Sequence, residues 1–167
     1  MEKFDRERML SDKVKLVIKN NRYNLADNKN NILSPMWFDG VFHMRDDYMV
    51  VYQEVRIGNN PLIECEHFSK IIYNVIDFNG NLLSPNLWFD NVNNFVDFST
   101  NEGYTFVTLN NKENFMDSKG RLLSDKWFDD ITRFNDKGLA RVTTEGNDFW
   151  INTKGEVFSY WRMEKLN

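Results

Sequence analysis

The chain is short of the residues that most chemistry needs. Its 167 residues include one cysteine, Cys65, and two histidines, His43 and His67. One cysteine cannot close an intrachain disulfide, and this usage fits a reducing compartment, so a cytoplasmic location is expected. So few histidines and thiols leave little from which to build a nucleophile and its base. No Ser-His-Asp order, nucleophile elbow or Gly-rich phosphate loop is found. Around Glu64-Cys65-Glu66-His67 only Cys65-x-His67 is local, and neither usual zinc spacing is present. The expectation is therefore no catalytic residues, no metal and no cofactor. No stretch approaches the roughly 18 apolar residues of a membrane helix. The segment from Met1 to Arg8 has no apolar core of signal-peptide length, so neither export nor a membrane is expected. Basic residues are scarce in any one place. The densest scatter, Arg6, Arg8, Lys13, Lys15 and Lys19, is interrupted by acids and reads as a solvated face. With a formal net charge of -4, general nucleic-acid binding is not expected.

What is present points to strands and turns. Hydrophobic residues make up 41% of the chain and aromatics 15%, with 14 Phe, 6 Tyr and 5 Trp. That composition argues against disorder, and the aromatic share favours β-structure. Asn occurs 23 times, and Asn tolerates left-handed backbone, as a protein made of many turns requires.

Internal self-similarity is the strongest signal. Asn24 to Asp39, Asn74 to Asp90 and Asn114 to Asp129 share one text. It reads Asn-x-x-Asp, then Gly or Asn three residues on, an apolar pair followed by Ser, and then Trp-Phe-Asp. Phe149 to Ser159 repeats the first half, with Asn152 in place of Asp. Phe4 to Ser11 fits with one residue deleted. The marker serines are then Ser11, Ser34, Ser84, Ser124 and Ser159, at unequal intervals.

Each block has a physical reading. Asp77 and Asp117 stand at the first position of a type I turn, where a carboxylate accepts the N–H two residues ahead. Gly80, Gly120 and Gly155 supply the positive φ that closes a hairpin with a bulge. Asn30 fills that place in the first copy. Ser34-Pro35 and Ser84-Pro85 end a strand, since Pro cannot donate to a ladder. Trp-Phe-Asp opens the next strand, with Trp or Phe turned inward. Gly138-Leu139-Ala140-Arg141-Val142 then alternates as a half-buried strand does, matched by Gly103 to Val107 and more loosely by Asp47 to Val51. Each copy thus holds about four short strands. Helix is expected nowhere beyond a turn or two within Met1 to Ser11.

These motifs resemble the WG-repeat (WG containing repeat) family. Its units read roughly Trp-Gly-aromatic-Ile-Asp-x-x-Gly-Lys, followed later by Phe-x-x-Gly-Leu-Ala-x-Val. The matching residues are Phe115 to Arg121, Phe134, and Gly138 to Val142. The namesake Trp-Gly positions hold Tyr23-Asn24, Tyr73-Asn74 and Glu113-Asn114, where Asn is expected to keep access to unusual backbone angles and adds a hydrogen-bonding side chain. With Leu-Leu-Ser-Pro and Trp-Phe-Asp, this looks like the variant found in gut bacterial and phage proteins. The resemblance implies an architecture and no particular chemistry.

The expected fold is all-β: tandem hairpin repeats stacked into an open solenoid-like array with degenerate caps. Its parts are an N-terminal cap at 1–22, a first full unit at 23–72 with an insertion at 51–69, units at 73–112 and 113–147, and a partial unit at 148–167. Trp37, Phe38, Trp88, Phe89, Trp127 and Phe128 are expected to form the repeat core. Asp27, Asp77, Asp117, Asp39, Asp90 and Asp129 recur once per copy, which suits turn formers better than a catalytic constellation. What does not recur is the insertion. There Tyr52, Arg56 and His67 are the candidate partner-binding residues, since Tyr and Arg most often carry interface energy. The expected function is a non-enzymatic protein-binding module acting on a host or phage protein, with a second copy of the chain as one partner. The alternatives are a nucleotide-like signal held in a pocket and a glycan or surface ligand.

Overall fold

The computed structural model describes residues 3–45, 47–59, 67–93 and 103–159. Its regular elements are all strands, paired antiparallel. The chain divides into two compact halves, Met1–Trp88 and Phe89–Asn167. In the first half, β1 (Arg6–Met9), β2 (Val14–Lys19) and β3 (Arg22–Asp27) form one sheet. There, β4 (Gly40–Arg45), β5 (Tyr48–Asn59) and β6 (His67–Asp77) form a second. In the second half, β7 (Asn91–Val92), β8 (Tyr104–Leu109) and β9 (Lys112–Asp117) form a sheet. The last contains β10 (Asp130–Ile131), β11 (Leu139–Thr144), β12 (Asn147–Asn152) and β13 (Val157–Ser159). Each sheet is one copy of the repeat, and the all-β expectation holds.

Two kinds of turn recur in the meanders. Asn20-Asn21 and Asn110-Asn111 have φ of 51° and 59°, and 52° and 58°, while Glu145-Gly146 has 52° and 75°. Two adjacent positive φ angles make the tight turn whose twist matches its strands. The other turn is the Asp motif. Asp77 Oδ1 accepts the N–H groups of Asn79 and Asn81 at 2.9 and 2.8 Å. Asp117 does the same for Lys119 and Arg121 at 2.9 Å each. Asn152 Oδ1 serves equally, accepting from Lys154 at 2.9 Å and Glu156 at 3.0 Å. Gly80, Gly120 and Gly155 take φ of 89°, 76° and 78°, and Asn30 takes 65°, as the turn reading requires.

The text before Trp-Phe-Asp is held by a device that the sequence reading missed. Asn24, Asn74 and Asn114 are fully buried and lie within strands at ordinary dihedrals, so Asn is not there for backbone freedom. Asn24 Nδ2 donates to Ser34 O at 3.0 Å and Met36 O at 2.8 Å. Its Oδ1 accepts from the Leu25 N–H at 2.6 Å and the Ser34 N–H at 3.3 Å. Asn74 binds Ser84 O and Leu87 O at 2.7 and 3.2 Å. Asn114 binds Ser124 O and Lys126 O at 2.8 and 3.1 Å.

The N-terminal copy is phased differently from the expectation. Asp5 Oδ2 accepts the Asn20 N–H at 2.7 Å, as Asp90 accepts that of Asn110 at 2.6 Å and Asp129 that of Glu145 at 2.7 Å. Phe4-Asp5 is therefore a Phe-Asp pair of the Trp-Phe-Asp block, and Arg6–Met9 is a strand rather than a helical turn. Ser11 is not a marker serine. It caps the following turn by accepting from Lys13 and Val14 at 3.3 and 3.2 Å, as Asn135 accepts from Lys137 and Leu139 at 2.9 and 3.1 Å. Lys15 is also not on a solvated face. It is buried, and its ammonium meets Glu7 Oε2 at 3.1 Å and the side-chain carbonyl of Asn30.

Of each Trp-Phe pair, the ring that fills the core is Phe. Phe38 and Phe89 have no exposure and Phe128 has 2%, whereas Trp37, Trp88 and Trp127 are half-buried. Adjacent residues of an extended segment point to opposite sides, so only one can face inward. Phe38 packs with Leu25, Met49, Val51 and Ile76, and Phe128 with Phe115, Ala140, Val142 and Ile151. Phe128→Ala is expected to cost about 3–5 kcal/mol and Trp127→Ala roughly half as much in proportion to its burial, both read by chemical denaturation. Equal costs would contradict this division of roles. Asn114→Ala strands buried carbonyls without a donor and should cost roughly 2–4 kcal/mol; a loss below 1 kcal/mol, near the net value of a single ordinary hydrogen bond, would show that the amide is dispensable.

Candidate functional site

The recurring carboxylates are occupied by structure. Asp39 Oδ1 lies 3.2 Å from Arg22 Nε, and its Oδ2 accepts the Glu54 N–H at 2.8 Å. Asp129 repeats the arrangement with the Lys112 ammonium and the Glu145 N–H. The Phe of the same block bridges back to the preceding sheet, Phe38 to Tyr23 and Phe128 to Glu113. The blocks at 37–39 and 127–129 thus each tie their own sheet to the one before it. Among the described residues, no group of three His, Cys, Asp or Glu side chains is placed to hold a metal ion. Glu64, Cys65 and Glu66 lie outside the described residues. Among the described residues, no helix is long and apolar enough to cross a membrane.

What departs from the repeat is the second sheet. Val17 pairs Asn24 and Lys19 pairs Arg22 across a two-residue turn. The corresponding pairs in the second copy are Val51 with Asn74 and Gln53 with Ile72. The extra chain therefore lies between Gln53 and Ile72, at residues 54–71, slightly later than the sequence suggested. It continues the β5–β6 ladder outward as a two-stranded arm. Glu54, Val55 and Arg56 pair with Ile71, Lys70 and Ser69, and after a bulge Asn59 pairs with His67. Residues 60–66 lie outside the described set.

The three candidate residues separate along this arm. Tyr52 sits at its base, cross-strand from Tyr73 with ring centroids 6.2 Å apart. Its ring covers Gly40, where an added Cβ would meet it at 2.2 Å. Phe42 joins them, 5.4 Å from Tyr73 edge to face. Arg56 is exposed midway. His67 takes its backbone place opposite Asn59, near the far end. The structure thus brings Tyr52 into an aromatic group with Phe42 and Tyr73, while Arg56 and the backbone of His67 take places farther along the ladder.

Sequence reasoning passed over the apolar residues of the same region. Val55 is 42% exposed, Ile57 57%, Ile71 45% and Phe42 46%. Their signal was alternation: Val55 and Ile57 share one face of β5, while Glu54 and Arg56 share the other. Trp37 borders a cleft of about 260 Å³ with Lys19, Asn20 and Arg22. Arg22 there is already engaged, by Asp39 and by Gln53 Oε1 at 2.9 Å.

Residues 115–147 match the family model described as WG containing repeat. The matched segment runs from β9 into β12, and so spans two sheets. No curated protein and no solved structure matches the chain.

Asp27, Asp117 and Asp129 share one electrostatic signature. Asn31 holds Asp27 below the ordinary carboxylate range, and Lys112 does so for Asp129. At Asp117 burial raises the pKa, but the N–H of Arg121, its side chain and the N–H of Lys119 together bring it below. A carboxyl depressed in the folded state adds stability above its unfolded pKa, and that stability is lost as pH falls through the folded value. Stability is expected to drop below about pH 4, near the unfolded carboxylate pKa. Asp117→Asn should keep its turn, as Asn152 does, and flatten that acid limb in denaturation curves taken from pH 7 to pH 3. An unchanged limb would remove Asp117 from the account.

Proposed function

On the premise that the repeat is of the WG class, we propose that the chain is a non-enzymatic protein-binding module whose partner contact is the arm at residues 54–71. The observation that carries this reading is the replacement of a two-residue turn, in one copy only, by a ladder that displays Val55, Ile57 and Ile71 to solvent. Repeat proteins place such insertions on the binding face. Exposed aliphatics beside an exposed Arg match the makeup of interface cores and their anchors. Arg56 and the Tyr52–Tyr73–Phe42 group supply the polar and aromatic contacts of that surface. The recurring carboxylates have structural employment, which supports a reading without catalysis. The partner is a protein of the cytoplasm in which the chain acts, and for a phage-encoded chain that is the host cytoplasm.

Replacing residues 54–71 by Asn-Asn restores the turn of the first and third copies. The shortened chain should unfold at a similar denaturant concentration and lose its partner in affinity capture from the native cell. Arg56→Ala should weaken capture by about tenfold, as interface arginines often do. Capture of the same partner at unchanged affinity by the shortened chain would place the contact on the repeats instead.

A further inference from the structure

One cross-strand row of the third copy differs from its counterparts in a way that the scaffold does not explain. Asn91 pairs Thr108, and Thr108 pairs Glu113, so the three side chains stand side by side on one face of the sheet. In the next row the Asn93 N–H donates to Phe106 O at 3.0 Å. Asn91, Thr108 and Glu113, with Asn93 and Phe106, line a cleft of about 260 Å³.

The equivalent rows of the second and fourth copies are closed. In the second copy the row is Gly40, Tyr52 and Tyr73, and the Tyr52 ring lies over Gly40. In the fourth it is Asp130, Thr143 and Asp148. There Thr143 Oγ1 donates to Asp148 Oδ1 at 2.8 Å. Arg141 reaches Asp130 at 3.1 Å and Asp148 at 3.6 Å. In the third copy, by contrast, the Asn91 amide and Thr108 Oγ1 have no partner among the described residues. Glu113 uses one oxygen, Oε2, to accept the Ile131 N–H at 3.1 Å and leaves the other without one. Burial, then the charge of Asp130, raises the Glu113 pKa against that one hydrogen bond, so this carboxyl is short of donors.

The chemistry of the row selects its ligand. A donor-poor carboxylate accepts hydroxyls, an amide both donates and accepts, and a threonine hydroxyl does either. The half-buried Phe106 ring offers an apolar surface for C–H groups. The carboxylate repels anions. We infer that this cleft binds one ring of a neutral, hydroxyl-rich ligand, a monosaccharide unit held by Asn91, Thr108 and Glu113 against Phe106. The volume is below that of drug-sized sites and fits a ring rather than a chain. This site is separate from the arm and stands or falls without it.

The test is a titration of the isotopically labelled full chain with glucose, galactose, mannose and N-acetylglucosamine, and with methylammonium as the cationic control. At least one sugar should shift the amide resonances of Asn91, Thr108 and Glu113 saturably in the millimolar range. Thr108→Val, which keeps the side-chain shape, and Asn91→Ala, at an exposed position, should each weaken that sugar by about three- to tenfold, the loss of one hydrogen bond. An unchanged spectrum elsewhere verifies the fold of both variants. No saturable shift with any of the four sugars, tighter binding of methylammonium, or sugar binding indifferent to both substitutions would overturn the assignment. Capture of a protein through the arm is unaffected in every case.

Discussion

A side-chain amide with no exposure to solvent stands in for two backbone groups in the first copy, and its counterparts occupy the same place in the next two. The fourth copy shows what the backbone does without it. There Phe149 occupies the position of Asn114 and pairs Ser159 in an ordinary ladder that also includes Trp150 with Phe158 and Ile151 with Val157. In the first copy the ladder is reduced to the bridge of Ala26 with Ile32. Two pairs further on, Asn24 meets Ser34 with its side chain instead, donating to the serine carbonyl and accepting from its N–H. The same amide binds a second carbonyl at Met36. This detaches the chain from its sheet after Ser34 without leaving buried polar groups unpaired. It also delivers the chain to Phe38, which bridges Tyr23 and fills the core. The tie from Asp39 to Arg22 and to Glu54 follows from the same path.

The extent of legibility follows from which interactions are local. Turn chemistry acts over four residues, so Asp77, Gly80 and their counterparts could be placed from the text alone. The Trp-Phe-Asp block could be recognised, but not which ring faces inward, because strand alternation fixes a parity and not its sign. The role of Asn24 was hidden because its partners lie ten and twelve residues away and the residue resembles the many turn asparagines. Copy boundaries drawn at 22, 72, 112 and 147 follow the most repetitive text. That text runs from the last long strand of one sheet into the first strand of the next, so those boundaries cut through sheets that the structure keeps whole. The N-terminal copy was phased by its serine, although its Asp5 carries the same bond as Asp129.

Repetition also sorts structure from function. Residues that recur with the same partners, the amides, the turn carboxylates and the block carboxylates, account for themselves as scaffold. Two places break the pattern and leave side chains exposed or without a partner among the described residues. One is the arm that replaces a two-residue turn, and the other is the open polar row on β7–β9. The Asp39 and Phe128 ties survive both departures, because they run through the backbone of Glu54 and of Glu113 and not through their side chains.

The central claim is that the buried asparagine amides replace backbone pairing. Hydrogen exchange of side-chain amides, followed by NMR, tests it most directly. The Nδ2 protons of Asn24, Asn74 and Asn114 should exchange as slowly as the backbone amides of the central strands, while those of Asn110 and Asn111 at the tight turn exchange at the rate of free asparagine. Fast exchange at Asn24, Asn74 and Asn114 on an otherwise protected backbone would contradict the account.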